Sequence, residues 1–318
     1  MYEMNQNGTY PIADSTRAFF EKAADEGLEL RQGQVDMALE ICNAIMDNKP
    51  LAVEAEVGIG KSFAYLVPAV TEYSRSHKQI VIATSTIALQ EQLMKDAKSV
   101  MKMTGVSINV TVAKGMRNYL CSKRLENAVR KQKNKEIFKE ISSLMKKNGS
   151  DRASMGINVP DKVWELVNVQ NYGEKCHNCM MKSQCEYYAL RERLRNDHGI
   201  VICNQNMLVA HLQNLSTGGR GIFDSDGGMV IIDEVHNLES KFRDAFTTSF
   251  SRDELETIIK SCITKAPNRK KAESEKYAEE TIECIEQLYK HLVRQVSEQK
   301  KTNEADTTTY YLISLSKC

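Results

Sequence analysis

Short apolar runs alternate with amphipathic stretches along the first 240 residues of the chain. The apolar runs have the length of buried strands and span residues 80–84, 108–113, 200–204 and 229–234. Residues 33–48 place apolar side chains at helical spacing before Pro50, and residues 61–75 and 87–103 show the same periodicity. A further strand is expected directly after Pro50. The alternation predicts an α/β fold with a mostly parallel sheet and helices on both faces.

This regular pattern is interrupted twice. Residues 114–198 contain a basic helical stretch, a loop and a group of cysteines, and we interpret them as an insertion. Residues 241–318 are charged and helical, with one apolar stripe made of Ile282, Ile285, Leu288, Leu292 and Val296. We therefore predict four segments: residues 1–113 and 199–240 form the α/β domain, 114–198 the insertion, and 241–318 a C-terminal helical segment.

The composition is that of a globular protein with more than one structural unit. The chain has 318 residues, of which 42% are hydrophobic and 27% charged, and its net charge is +1. No run of eighteen apolar residues occurs, and the first thirty residues carry acidic side chains where a signal peptide would be basic and then apolar. We therefore expect a cytoplasmic protein without a membrane partner.

Charge is concentrated in one stretch of the chain. Residues 114–147 hold eleven Lys and Arg against three Glu, a balance of +8. Such a stretch is a candidate surface for nucleic-acid phosphates. The alternative is a solvated helix whose basic side chains have no ligand.

A phosphate-binding loop is indicated after the strand expected at Pro50. Its residues read AEVGIGKS and are Ala55, Glu56, Val57, Gly58, Ile59, Gly60, Lys61 and Ser62. Glycines let backbone amides turn toward phosphate oxygens, Lys61 can reach the β and γ phosphates, and the Ser62 hydroxyl can ligate Mg²⁺. Ala55 stands where the usual pattern has its first glycine. The motif predicts a site for ATP and Mg²⁺.

A second motif, DEVH, follows the apolar run that ends at Ile232. Asp233 can hold Mg²⁺ and Glu234 can orient the attacking water, as phosphoryl transfer requires. The alternative for the acidic pair is an ordinary helix N-cap, but the phosphate loop in the same chain favours the catalytic interpretation. His236 either couples nucleotide state to the rest of the protein or is structural.

Four of the nine cysteines form a candidate metal site. They are Cys121, Cys176, Cys179 and Cys185. Four thiolates can hold a zinc ion or an iron–sulfur cluster, and their spacing does not choose between the two. His177 is a minor alternative ligand for zinc. The neighbourhood of the last three cysteines is too polar for thiols buried without a ligand.

These motifs occur in an order that resembles a known family. RQGQVDMA, AEVGIGKS, ATSTIALQEQL, the four cysteines and DEVH resemble the first motor domain of the iron–sulfur superfamily 2 DNA helicases, the XPD and DinG group, over about residues 15–240. The resemblance implies a RecA-like fold and an ATP-dependent DNA helicase that moves 5′ to 3′ on single-stranded or forked DNA. It implies catalytic roles for Lys61, Asp233, Glu234 and His236.

The resemblance also assigns binding roles to further residues. Arg31 and Gln34 match the motif that recognises adenine, and the four cysteines match the ligands of a [4Fe-4S] cluster. DNA contacts are expected from Thr84, Ser85, Thr86, Arg124, Arg130 and Lys131. Tyr119, Tyr187 or Tyr188 can stack on bases or serve as packing residues.

The chain departs from the family pattern in one respect. No QxxGRxxR-type segment occurs in the 318 residues, so the second motor domain with its arginine finger is missing. The region after residue 240 resembles the start of the family's arch insertion. We expect the isolated chain to need a second motor domain or a partner chain for full activity. The alternative is a non-catalytic nucleic-acid-binding or regulatory protein derived from a helicase domain.

Overall fold

The computed structural model of the chain describes residues 11–29, 31–131, 135–224, 226, 228–247 and 252–302. It divides into two compact units, one that runs through Phe246 and one that begins at Thr247.

The first unit is built on a parallel four-stranded sheet. Its strands are β1 (Ile80–Thr84), β2 (Val110–Ala113), β3 (Ile200–Asn204) and β4 (Met229–Ile232), in the spatial order β2-β3-β1-β4. All three neighbouring pairs are parallel, and Ile80 is aligned with both Ile200 and Met229. The four apolar runs in the sequence therefore form the strands that were predicted.

Helices connect and cover these strands. In the first unit they are α1 (Pro11–Asp25), α2 (Gln32–Asp47), α3 (Lys61–Ser76), α4 (Ile87–Thr104), α5 (Ser122–Lys131), α6 (Lys135–Asn148), α7 (Asp161–Val167), α8 (Glu174–His177), α9 (Glu186–Asn196), α10 (Gln205–Ser216) and α11 (Leu238–Phe246). The predicted helix at residues 33–48 corresponds to α2. Its C-terminus is closed by Asn48, which adopts a left-handed conformation with φ of 53°.

The central strands β1 and β3 are buried on both faces, as is typical of a parallel sheet. Successive side chains of a strand point to opposite faces. Ile80 and Ile82 of β1 pack with α1 to α4 on one face, whereas Val81 and Ala83 pack with α9 and α10 on the other. This arrangement is an α/β architecture consistent with a RecA-like helicase domain.

The predicted insertion has a hydrophobic cluster of its own. Leu125, Phe138, Ile141 and Trp164 bring α5, α6 and α7 together away from the sheet. Residues 114–198 nevertheless belong to the same compact unit as the sheet.

One predicted strand is not formed. Residues 51–56 carry no strand assignment, although an apolar run stands there. A strand needs a neighbour that accepts its backbone hydrogen bonds. Among the described residues, β4 is the last strand at this edge of the sheet, and Leu51 and Val53 remain 44% and 43% exposed.

The second unit is helical. It contains α12 (Arg252–Lys265) and α13 (Lys271–Thr302). The apolar stripe predicted on this segment lies on α13, where Ile282, Ile285, Leu288 and Leu292 are half-buried. The side chain of Val296 lies outside the described residues.

None of the helices in the described part of the chain has the combination of length and apolar character needed to span a bilayer.

Candidate nucleotide site and four-cysteine site

The phosphate loop leads directly into α3. Gly58 and Gly60 have φ of +92° and +85°, a left-handed backbone that glycine adopts without strain. The Gln34 side chain donates a 2.8 Å hydrogen bond from Nε2 to the carbonyl oxygen of Gly60. A Cβ placed on Gly58 would lie 4.0 Å from Nη1 of Arg31. The two residues that the resemblance assigns to adenine recognition therefore lie beside the loop.

The two residues differ in how firmly they are held. Gln34 is half-buried and bonded to the loop, whereas Arg31 is exposed and forms a 2.8 Å ion pair with Glu29. The Arg31 contact lowers the pKa of Glu29. Such an exposed pair adds little to stability, so Arg31 is available to a ligand.

The DEVH motif begins where β4 ends. The Asp233 amide donates a 2.8 Å hydrogen bond to the Ala83 carbonyl and extends the strand ladder by one residue. Glu234 then has φ of 55° and ψ of 49°, a left-handed conformation that is uncommon for a residue with a Cβ. The chain turns sharply at the acidic pair as a result.

Gln205 holds this turn in place. It is buried at the start of α10, directly after β3, and is only 1% exposed. Its Nε2 donates hydrogen bonds of 2.8 Å to the Asp233 carbonyl and 2.9 Å to the Glu234 carbonyl. Gln205 could not be found from the sequence, because nothing in the pattern shows that a residue directly after β3 reaches the turn after β4, from which β1 separates it in the sheet.

The phosphate loop and the DEVH motif line one cavity of about 920 Å³. Lys61 comes from the start of α3, and Asp233, Glu234 and His236 come from the end of β4. Tyr65, one helical turn after Lys61, also lines the cavity and donates a 3.5 Å hydrogen bond from its hydroxyl to Oδ2 of Asp233. Tertiary structure thus brings together the two motifs that lie far apart in the sequence.

The electrostatics at Asp233 favour a cation. Burial raises the pKa of the Asp233 carboxyl, and the neighbouring Glu234 charge raises it further, while Lys61 and Tyr65 oppose the shift. Burial also raises the pKa of Tyr65 strongly, so its hydroxyl remains a proton donor. A divalent ion at this carboxylate would relieve the repulsion from Glu234. Tyr65 was missed in the sequence analysis, although its spacing from Lys61 places both on one face of α3.

His236 lies at the rim of this cavity. Its Nδ1 is 3.4 Å from Oε2 of Glu234, and its Nε2 lies 3.0 Å from the Asn237 side-chain amide. The side chain is 70% exposed. At this position, His236 is accessible to a neighbouring domain or a ligand.

The three polar residues after β1 have different surroundings. Thr84 is fully buried and its hydroxyl has no hydrogen-bond partner among the described residues, so its predicted DNA contact would require this side chain to become exposed. Ser85 is half-buried and Thr86 is exposed. The Thr86 hydroxyl accepts a 3.2 Å hydrogen bond from the Leu89 amide and so caps α4.

The three basic residues of α5 also differ. Arg124 donates a 2.8 Å hydrogen bond from Nη2 to the Glu165 carbonyl, which ties α5 to α7. Arg130 and Lys131 are exposed in the last turn of α5, and Arg130 pairs with Glu126 at 2.9 Å. Of the three, Arg130 and Lys131 have the exposure that a phosphate contact requires.

The four cysteines are free thiols, and each is half-buried. Burial raises the pKa of Cys185, and the charges of Cys121 and Cys176 add to that rise, so these three sulfurs lie close enough to interact. The Cys176 thiol donates a 3.4 Å hydrogen bond to the Asn171 carbonyl. In the described part of the chain, no three His, Cys, Asp or Glu side chains are grouped tightly enough to enclose a single metal ion.

Aromatic rings surround these thiols. The ring of Tyr172 lies 5.5 Å from the Tyr187 ring, 6.2 Å from the Tyr188 ring and 5.5 Å from the His177 ring. Tyr119 and Tyr187 are 8% and 5% exposed, so both are packing residues and not platforms for bases. Tyr188 is half-buried.

Comparisons with known proteins agree with this arrangement. A sequence model of the DEAD/DEAH box helicase family matches residues 36–149. The chain is 29% identical over 242 residues to the ATP-dependent DNA helicase YoaA of Escherichia coli strain K12. Both comparisons show a likeness to DEAD/DEAH box helicases in the part of the chain that contains the phosphate loop.

Two further relatives extend this likeness. The chain is 27% identical over 215 residues to the ATP-dependent DNA helicase DinG of Photobacterium profundum. It is 26% identical over 253 residues to the 3'-5' exonuclease DinG of Bacillus subtilis strain 168.

The matches cover most of this chain but a smaller part of each relative. The shares of this chain are 74% for YoaA, 62% for the Photobacterium DinG and 74% for the Bacillus DinG. The corresponding shares of the relatives are 37%, 30% and 26%. The chain therefore spans well under half the length of the curated relatives it matches.

Proposed function

We propose that this chain is the ATP-binding part of an ATP-dependent DNA helicase that acts on single-stranded or forked DNA. The observation that carries the proposal is the common cavity of Lys61, Asp233 and Glu234. A phosphate-binding lysine and an acidic pair in one cavity are the parts that nucleotide hydrolysis needs. The names of the matched relatives support DNA as the other ligand.

Each residue of the cavity has a distinct role in this proposal. Backbone amides from Gly58 to Ser62 and the Lys61 ammonium bind the phosphates. Ser62 and Asp233 hold Mg²⁺, which neutralises charge on the β and γ phosphates. The Glu234 carboxylate orients the attacking water and accepts its proton, while Gln205 fixes the backbone that carries it.

Arg31 and Gln34 are proposed to recognise the adenine. Gln34 already bonds to the Gly60 carbonyl, so a base held by Gln34 is linked to the phosphate loop through one side chain. Arg31 has an exposed guanidinium beside the same loop.

DNA is proposed to contact Ser85, Thr86, Arg130 and Lys131. The first two follow β1, and the last two lie at the basic C-terminal turn of α5. Their exposure and hydrogen-bonding capacity support contacts to the phosphate backbone, which carry affinity without sequence specificity. The 5′ to 3′ direction rests on the family resemblance alone.

The four cysteines are proposed to hold a [4Fe-4S] cluster. A single zinc ion needs four sulfurs about 2.3 Å from one point, whereas a cluster of four iron atoms holds its thiolates further apart. The half-buried, mutually interacting thiols fit the larger group better. The cluster supplies a rigid link between the segments that contain Cys121 and Cys185 and a centre that can exchange one electron.

The second candidate is a binding protein that does not turn over ATP. It is favoured by the absence of a QxxGRxxR-type segment in the 318 residues. The two candidates share ATP binding and differ in hydrolysis.

Titration with a fluorescent ATP analogue in the presence of Mg²⁺ tests the site. Lys61→Ala is expected to weaken binding at least tenfold, about 1.4 kcal/mol, because it removes the charge nearest the β and γ phosphates. Lys98→Ala, an exposed lysine on α4, is the matched control and should bind like the unmodified chain. Equal affinities for the Lys61→Ala and Lys98→Ala proteins would contradict the assignment of the site.

A further inference from the structure

Arg191 is a buried cation without an anionic partner. It lies in the middle of α9 and is 6% exposed. Its Nε has no hydrogen-bond partner, and among the described residues no carboxylate forms an ion pair with it. A buried guanidinium is costly unless an opposite charge or a set of hydrogen bonds compensates it.

Arg191 belongs to the aromatic group beside the cysteines. Its guanidinium lies 4.9 Å from the centre of the Tyr172 ring, which gives a cation–π contact. It also interacts with the Tyr187 hydroxyl. Burial raises the pKa of Tyr187, and the interaction with Arg191 partly offsets that rise. The Tyr187 ring lies 5.5 Å from the Tyr172 ring, and Cys121 and Cys185 pack against the cluster that contains Tyr187.

A second arginine repeats the pattern one helical turn later. Arg195 is half-buried, and its Nε is likewise without a hydrogen-bond partner in the described chain. The charges of Arg195 and Arg191 both oppose the rise that burial produces in the pKa of Tyr172. The two guanidinium groups thus place positive charge on the side of α9 that carries Tyr187.

The acidic residues of α9 do not neutralise this charge. The Glu186 carboxylate accepts hydrogen bonds of 2.9 Å and 2.8 Å from the amide and hydroxyl of Ser150. Glu192 influences Tyr172 but is not in ion-pair contact with either arginine. A DNA phosphate cannot compensate Arg191, because so little of this side chain is open to solvent.

The remaining source of negative charge is the group of four thiols. Cys185 immediately precedes α9, and Cys121, Cys185 and Tyr172 all pack against the hydrophobic cluster that contains Tyr187. The Arg191 guanidinium lies over the Tyr172 ring, so Arg191 and these two thiols border one aromatic group. Four thiolates around an oxidised [4Fe-4S] core form a net anion, and one-electron reduction adds a further negative charge.

We propose that Arg191, assisted by Arg195, is the internal counter-cation of the four-cysteine cluster and stabilises its reduced state. This inference rests on the proposed [4Fe-4S] cluster. Arg191 is a positioning residue that acts through Tyr172 and Tyr187. A nearby positive charge favours the more negative redox state, so its loss must make the cluster harder to reduce.

Anaerobic redox titration of the purified, cluster-containing protein tests the inference. Arg191→Gln is expected to lower the ratio of reduced to oxidised cluster at a fixed potential about tenfold, equal to about 59 mV for a one-electron couple. Arg191→Lys should retain most of the original potential, because it keeps a charge. Arg193→Gln changes an exposed arginine on the same helix and should leave the potential unchanged.

A folding defect is separated from a charge effect by two measurements. Circular dichroism reports the fold of each variant, and iron and sulfide analysis reports its cluster content. If Arg191→Gln does not fold, Arg195→Gln decides, with a smaller shift expected in the same direction. Cluster loss in a folded Arg191→Gln protein, with retention in Arg191→Lys, would also support charge compensation.

Two results would overturn the inference in distinguishable ways. The first is an unchanged reduction potential in Arg191→Gln, or in Arg195→Gln if Arg191→Gln does not fold. It would show that Arg191 is not the counter-cation, and it would not contradict the proposed cluster. Zinc without iron in the unmodified protein would remove both the cluster and the inference. The ATP titration described above is independent of either result, so the proposed nucleotide site is judged separately.

Discussion

At the scale of single residues, Glu234 has an unusual backbone. It has a left-handed conformation, with φ of 55°, at the residue proposed to orient the attacking water. Such a conformation costs about 1 to 2 kcal/mol for a residue with a Cβ. The two hydrogen bonds from buried Gln205 hold it in place. The backbone conformation of Glu234, which has the proposed chemical role, therefore depends on Gln205, which has none.

Replacement of Gln205 tests this dependence. Gln205→Leu leaves the Asp233 and Glu234 carbonyls without their donor, and we expect the free energy of unfolding to fall by about 1 to 3 kcal/mol. Urea denaturation measures the loss. Gln213→Leu, on the same helix, removes an exposed 3.2 Å bond to the Ala245 carbonyl and should cost much less. Equal losses would show that Gln205 has no special role.

The pKa of Asp233 gives a second prediction at this scale. Because the folded-state pKa is raised above that of an unfolded carboxyl, the fold binds this proton more readily than the unfolded chain does. The contribution of Asp233 to the free energy of unfolding is therefore greatest at low pH. It is lost as the pH rises from the ordinary pKa of a carboxyl through the raised pKa of Asp233.

Asp233→Asn removes that dependence. We expect the variant without nucleotide to melt at a higher temperature than the unmodified chain at neutral pH, and to bind Mg²⁺ with ATP more weakly. Thermal melts across acidic to neutral pH measure the first effect. Asp36→Asn, an exposed residue of α2, is the control. A lower melting temperature for Asp233→Asn would contradict the raised pKa.

At the scale of elements, the basic residues of helix α5 fall into two groups. Some hold α5 against α7, and others are exposed and could contact DNA. Arg124 bonds to the Glu165 carbonyl of α7, whereas Arg130 and Lys131 extend from the last turn of α5. A cation in that turn also interacts favourably with the helix dipole. The balance of +8 over residues 114–147 therefore overstates the charge that DNA can reach.

Salt dependence of single-stranded DNA binding measures the available charge. Each contact contributes a slope of about −0.7 in log affinity against log salt, so Arg130→Glu with Lys131→Glu should flatten the slope by about 1.4. Fluorescence anisotropy over a range of salt concentrations measures it. Lys95→Glu with Lys98→Glu on α4 is the matched charge control. An unchanged slope in the α5 variant would show that Arg130 and Lys131 do not contact DNA and that this surface is a solvated helix face.

The segment at residues 51–56 shows the opposite case, a sequence that is suitable for a strand but does not pair with the free edge of β4. It lies across a cavity from β4, since Leu51, Val53, Val230 and Ile231 line the same space. Val230 is 55% exposed at this edge. Strand propensity alone does not make a strand, because the backbone needs a neighbour for its hydrogen bonds.

At the scale of the whole molecule, the proposed catalytic groups belong to one compact unit. Lys61, Asp233 and Glu234 all precede Phe246, where the first unit ends. Phosphoryl transfer also requires positive charge on the side of the γ phosphate that faces away from the loop. The 318 residues contain no QxxGRxxR-type segment that would supply it.

We therefore predict very slow ATP hydrolysis by the isolated chain. An arginine finger contributes about 10³ to 10⁵ in turnover, so saturating single-stranded DNA should leave the rate near background. A steady-state assay decides, with Glu234→Gln as the control for contaminating activity. Rapid DNA-stimulated turnover that is lost in this control would show that an arginine comes from elsewhere, for example a second copy of the chain.

Local sequence was sufficient for the four strands that form and for recognising the phosphate loop and DEVH, but not for the strand expected after Pro50. Strands β1 to β4 were predictable because their apolar runs are short and bounded by polar residues. The phosphate loop and DEVH were recognisable because phosphate binding and metal binding need particular residue types at fixed spacing. These properties depend on neighbours along the chain.

Tertiary structure alone decided which of these residues share a site. The order β2-β3-β1-β4 separates β3 from β4 by one strand, and only the folded structure shows that Gln205, directly after β3, supports the turn that follows β4. Burial, a property of the packed molecule, encloses the Thr84 hydroxyl and leaves the Arg191 Nε without a hydrogen-bond partner in the described part of the chain. No local pattern encodes such relations, because they join residues that are distant in sequence.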